Sequence, residues 1–147
     1  MMKKLAILSL LICSALSVTA AEAQWLTDLP TAQTKAKAGN KMILLDFTGS
    51  DWCGWCIKFN KEVLSTDEFK EYAAKNLVLV EVDFPHKPQG AGLKKANRAL
   101  QQKYKADGFP TFVVLSKEGK QIGRQEGYEA GGPKAFIAKL EEFKKKS

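Results

Sequence analysis

The sequence predicts an α/β domain, and three observations carry that prediction. Two largely apolar runs of strand length, Met42–Phe47 and Leu77–Phe84, predict strands, and the unalternated first run predicts a buried one. Between them the residues Cys53–Leu64 show helical spacing at Cys56, Asn60, Val63 and Leu64. After a second helical stretch come two short strands and a closing helix, giving the order βαβ, helix, ββ, helix. The 147 residues suit one domain with one core, and 45% hydrophobic with 27% charged residues is ordinary globular composition.

The chain opens differently from the rest. Lys3 and Lys4 precede an apolar or small stretch from Leu5 to Val18, followed by the small-x-small ends Val18-Thr19-Ala20 and Ala21-Glu22-Ala23. The stretch is too short to span a bilayer, and the pattern predicts a signal peptide over 1–23, cleaved after Ala23, with Ala20 as the alternative. Cys13 follows Ile12, which does not fit a lipid-modified leader. The mature domain is then 24–147 and retains only Cys53 and Cys56. Cleavage removes two lysines and one glutamate, so the net charge falls from +7 to +6. The lysines are scattered apart from Lys144–Lys146, which indicates a solvated surface and a polar tail rather than a nucleic-acid site.

Each later element has its own signal. Asp28 can cap a helix over Pro30–Ala38, with Pro30 near its first position and Gly39 ending it. Thr66 or Ser65 can cap Asp67–Lys75, which has acids in its first turn. Pro85–Gly92 is a loop, and Leu93–Tyr104 is a basic helix. Thr111–Ser116 is a strand, and Lys117–Lys120 turns into another near Gln121–Gln125. Gly131-Gly132-Pro133 opens a last helix through Phe143, with Phe136, Ile137, Leu140 and Phe143 inward.

The chemistry concentrates in Trp52-Cys53-Gly54-Trp55-Cys56. On a helix, residues three apart lie about 5–6 Å from each other, within disulfide reach. Cys53 at the helix start faces free N–H groups and the dipole's positive end, which favour a thiolate. A mere staple is a poor alternative, since the chain-entropy model gives so short a loop only about 2 kcal/mol. Zinc needs four ligands, and the mature chain offers two cysteines and one histidine, so no metal is expected. A reduced, inert pair does not suit an oxidising compartment. The spacing instead points to an attacking and a resolving thiol.

With these residues in view, the chain resembles the thioredoxin-like family. The resemblance covers nearly all of the mature domain and rests on Asp46-Phe47, Trp52–Cys56, and Gly108-Phe109-Pro110-Thr111, which is similar to the family's cis-proline loop. Gly127 is similar to the glycine beside that loop. Phe47-Thr48-Gly49-Ser50-Asp51-Trp52-Cys53 resembles a secreted subgroup related to the periplasmic reducing domain of the interchange protein DsbD. The resemblance implies a thioredoxin fold, a central mixed sheet flanked by helices with the active CxxC at a helix N-terminus. It departs in four places: one extra residue between Asp46 and Cys53, Trp55 for proline between the cysteines, Lys61 for a helix-kinking proline, and Glu81 near a lysine position. The Lys61 change predicts a straighter helix.

The implied activity is periplasmic or secreted thiol–disulfide exchange through a Cys53–Cys56 dithiol/disulfide cycle, reducing substrate disulfides without a cofactor. Cys53 is the nucleophile, Cys56 resolves, and Asp46 takes the Cys56 proton, the alternative for Asp46 being a solvated or capping strand-end acid. Pro110 forms the opposite wall. Trp52, Trp55 and Phe109 form an apolar docking patch, with core packing as their alternative, Trp52 first. His86 is read as an ordinary loop residue. Expected partners are disulfide-bearing proteins and an electron donor in the membrane; the chain is expected to be monomeric. Oxidase, isomerase and a non-catalytic client-binding module stand as alternatives.

Overall fold

The computed structural model describes residues 22–147, so most of the expected leader, including Cys13, lies outside the described residues. A five-stranded sheet has the order β1-β3-β2-β4-β5. The strands are β1 (Trp25–Leu26), β2 (Met42–Thr48), β3 (Leu77–Asp83), β4 (Thr111–Leu115) and β5 (Gln121–Glu126). β1, β3 and β2 run parallel, whereas β4 and β5 are antiparallel additions. The mixed sheet and flanking helices form the expected thioredoxin fold. Only β1 has no counterpart in the sequence reading, because two residues are too short to show a period.

Among the described residues, five α-helices cover the sheet: α1 (Leu29–Gly39), α2 (Gly54–Phe59), α3 (Asp67–Asn76), α4 (Ala91–Tyr104) and α5 (Gly132–Lys144). The Asp28 carboxylate accepts from Thr31 N–H and the Thr66 hydroxyl from Phe69 N–H, as capping residues should. α1 ends on Asn40, not on glycine. Asn40 takes the left-handed conformation at φ 52°, which asparagine tolerates, while Gly39 remains helical.

Strand alternation divides the core in two. Ile43, Leu45, Phe47, Val80, Val82, Val113 and Leu115 meet α1 and α4 residues such as Ala32, Ala36 and Tyr104 on one face. Met42, Leu44, Leu79, Phe112 and Val114 meet Phe59, Val63, Phe69, Phe136 and Leu140 from α2, α3 and α5 on the other. All seven β2 residues are buried, as its unalternated run predicts. Phe136 and Leu140 are the inward residues of α5, with Ile137 and Phe143 partly buried beside them.

The helix after the cysteines departs from expectation. It begins at Gly54 with Cys53 as its cap, and after Phe59 it widens into a π-helical turn over Asn60–Leu64, closed by Ser65 N–H on the Asn60 carbonyl at 2.8 Å. The straight run expected from Lys61 is therefore not found. The extra residue in the wide turn brings Val63 and Leu64 into the core together, and the Ser65 hydroxyl lies 2.8 Å from the Asn60 side-chain oxygen. Phe59 is the buried residue beneath this helix, whereas Asn60, expected on the inner spacing with Cys56, is exposed.

Candidate active site

The site is assembled at the C-terminal ends of β2 and β3. The turn leaving β2 is stitched to the segment leaving β3. Ser50 donates to the Asp83 carboxylate through both its N–H (2.9 Å) and its hydroxyl (2.5 Å). Asp51 accepts from His86 N–H (2.9 Å) and Lys87 N–H (3.0 Å), which hold its carboxyl below the usual range against a smaller opposing effect of burial. The Trp52 indole N–H donates to the Phe84 carbonyl at 2.7 Å. Gly49 is needed for close approach: a Cβ there would stand 2.4 Å from the Trp52 ring. Cys53 N–H returns to the Gly49 carbonyl at 2.8 Å, so the first cysteine leaves a turn fixed on several sides.

Cys53 and Cys56 are joined in a disulfide with their Cα atoms 5.2 Å apart. The Cys53 sulfur also accepts from Cys56 N–H at 3.2 Å, serving as the cap of α2. Both cysteines are largely covered. Pro110 follows a cis Phe109–Pro110 bond, and its carbonyl accepts from Gly127 N–H at 2.8 Å, so the expected loop and its glycine meet. Gly127 sits at φ 75°, a conformation in which glycine is favoured.

Exposed large hydrophobic side chains among the described residues are Trp52 (43%), Trp55 (59%) and Ile57 (49%), all within four residues of Cys53. Two aromatic groups extend from them. Trp52 stacks on His86 at 5.2 Å between ring centroids and meets Phe109 edge-on at 6.0 Å, and Phe109 stacks on Phe84. Trp55 packs on Tyr128 at 5.2 Å, which is steadied by its hydroxyl donating to Glu62 at 2.6 Å. Phe109 is the more enclosed of the expected docking residues, whereas Trp52 is both anchored and half exposed. His86, expected to be an ordinary loop residue, instead stacks on Trp52, and Tyr128 and Ile57 have no role in the sequence expectation. An exposed apolar residue one turn after Cys53 was the available signal for Ile57; His86 and Tyr128 reach the tryptophans from distant loops.

Asp46 is buried on the sheet face covered by α2, and one carboxyl oxygen has no hydrogen-bond partner. Phe112, its register partner on β4, packs on Phe59 at 4.6 Å, which places Asp46 one side chain from the cysteine helix. Burial first, then Glu81 and Asp83, push its carboxyl up to about 8.

Comparison with known proteins agrees with this architecture. Residues 29–144 match the family described as "Thioredoxin-like domain". The chain is 43% identical over 124 residues to the disulfide bond reductase DsbH of Chlamydia pneumoniae, covering 84% of this chain and 74% of that protein. It is 29% identical over 114 residues to the thiol:disulfide interchange protein DsbD of Pasteurella multocida, covering 76% of this chain but only 18% of that longer protein. A solved DsbH oxidoreductase superposes with a TM-score of 0.79 at 41% identity, covering 88% of this chain and 89% of its own. A thioredoxin from Thermus thermophilus superposes at 0.61 with 25% identity, covering 84% and 86%. The chain belongs to the thioredoxin-like family, as a thiol–disulfide oxidoreductase of the kind DsbH represents.

Proposed function

We propose that the chain is an exported reductant of protein disulfides, working in the periplasm or outside the cell after loss of residues 1–23. The observation that carries this reading is the Cys53–Cys56 disulfide set among Trp52, Trp55 and Ile57. An apolar rim around a redox pair suits an extended polypeptide whose own disulfide is flanked by apolar residues.

In the reduced protein, Cys53 thiolate attacks one sulfur of the substrate disulfide, and the other sulfur leaves as a thiolate. Asp46 takes the Cys56 proton, directly or across one water, and Cys56 then attacks the Cys53 sulfur. The second substrate thiolate leaves, two electrons have passed to substrate, and the protein holds the disulfide seen here. Pro110 and the Phe109 backbone form the wall along which substrate lies, with Trp52 and Trp55 as its apolar contacts. A dithiol donor in the membrane returns the electrons. The protein works as a monomer.

The direction of flow follows from what stands between the cysteines. Gly54-Trp55 supplies neither charge nor an imidazole to stabilise the reduced form strongly, so the pair is expected near thioredoxin's poise, roughly −200 to −280 mV. Equilibration with thiol–disulfide buffers, read by tryptophan fluorescence, measures it. A value above about −150 mV would assign an oxidase and end the reductant reading. Insulin reduction by wild type, with none by Cys53→Ser, separates the enzyme from a client-binding module.

A further inference from the structure

Asp46 has neighbours of its own charge. It stands in register with Glu81 on the adjacent parallel strand, and Thr48 stands in register with Asp83. Strand alternation puts Asp46, Glu81 and Asp83 on one face of the sheet, the face under α2. Asp83 is committed to Ser50, whereas Glu81 is half-buried beside Asp46. The same face is otherwise packed with apolar side chains. β4 contributes Phe112, α5 contributes Phe136 within the same cluster, and α2 contributes Phe59 and, one turn earlier, Cys56. Among the described residues, the charged groups that push the Asp46 carboxyl up are the carboxyls of Glu81 and then Asp83.

We propose that Glu81 is a positioning residue for the proton chemistry of the disulfide: standing beside Asp46, it keeps that carboxyl protonated while Cys53–Cys56 is oxidised, so that Asp46 can protonate Cys56 when the disulfide is opened. This deepens the reductant reading by describing how the pair is recharged. The donor thiolate attacks the Cys53 sulfur, the S–S bond breaks, and its electron pair goes to the Cys56 sulfur. That sulfur takes the proton from Asp46. The donor's second thiol then displaces Cys53, leaving the dithiol. In the forward reaction the Asp46 carboxylate takes the same proton back. Burial makes the larger contribution to holding the proton, and Glu81 adds like-charge repulsion that Asp83, bound to Ser50, adds less of. Glu81 is itself held above the usual carboxylate range by burial and then by Asp83, and its partial exposure connects the pair to solvent.

The test is the rate at which dithiothreitol opens the disulfide in the full chain, divided by the reagent's thiolate concentration and followed by tryptophan fluorescence across pH. In wild type this corrected rate should fall near pH 8, as Asp46 loses its proton. In Glu81→Gln the fall should come about one pH unit lower, because a nearby like charge is gone. Glu81→Met should move it the same way if Glu81→Gln folds poorly, and Glu81→Asp should restore most of the wild-type profile. Asp46→Asn should show no such fall, and adding Glu81→Gln to it should change nothing further. An unmoved profile in both Glu81→Gln and Glu81→Met, or a shift that persists in Asp46→Asn, would overturn the proposal. Because the assay opens the protein's own disulfide with a small dithiol, it remains readable even if insulin reduction fails and the reductant reading falls.

Discussion

The two faces of the sheet are made from the same strands and end differently. Toward α1 and α4, β2 presents Ile43, Leu45 and Phe47, and β3 presents Val78, Val80 and Val82, apolar from end to end. Toward α2, the same strands begin with Met42, Leu44, Leu77 and Leu79 but finish with Asp46, Thr48, Glu81 and Asp83. The first face is a scaffold. The second changes from oil to carboxylates where the cysteine helix begins. Burying a carboxyl with an unsatisfied oxygen costs stability, and a face built only for packing would not retain it.

That contrast breaks most sharply at the sulfurs. Cys56→Ser should accumulate mixed disulfides with clients, because Cys53 can attack but nothing resolves the adduct. Cys53→Ser should trap almost none. Non-reducing gels after rapid acid quenching check this, and the reverse trapping pattern would exchange the two roles. A scaffold-face change should leave trapping intact in whatever fraction folds. Phe47→Ala, at a fully buried aromatic, should cost about 3–5 kcal/mol in denaturant unfolding. It should leave the reduction potential within error of wild type.

Asp46→Asn should act in the opposite direction. Burial pushes the folded carboxyl up to about 8, whereas the unfolded one titrates near 3.9, so between these values the unfolded chain releases a proton that the folded chain keeps. Wild-type stability therefore falls as pH rises through that window, and the cost is complete above it. The asparagine variant should be more stable than wild type by roughly 5–6 kcal/mol at pH 9, with the gain gone below pH 4. It should also resolve mixed disulfides more slowly. Equal stability at both extremes would mean that Asp46 is solvated and plays no part in proton transfer.

Much of this division was legible in the sequence, for identifiable reasons. Apolar runs announced β2 and β3, Asp28 and Thr66 announced their helices, and CxxC spacing announced the disulfide. The π-helical turn was not legible, because Lys61 removes a kink-forming proline without saying how Val63 and Leu64 will both reach the core. Nor was His86. Its stacking on Trp52 depends on Asp51 gripping the 86–87 backbone, a contact spanning 35 residues. Local signals encoded the elements, whereas the rim was encoded by meetings between distant loops.

The smallest expected effect tests whether the loop joining the two strand ends serves the polar face or merely closes a turn. Ser50→Ala removes the hydroxyl donor to Asp83 and leaves the backbone donor in place. Loss of one hydrogen bond to a carboxylate at a partly exposed site should cost about 1 kcal/mol. Asp83, less tied down, would add more to the repulsion felt by Asp46, so the pH at which corrected disulfide-opening falls should rise slightly rather than drop as in Glu81→Gln. The two variants therefore move the same profile in opposite directions. Chemical unfolding and the pH–rate profile measure both effects on one sample. A stability loss with no movement of the profile would confine Ser50 to turn closure and leave Glu81 as the neighbour that tunes Asp46.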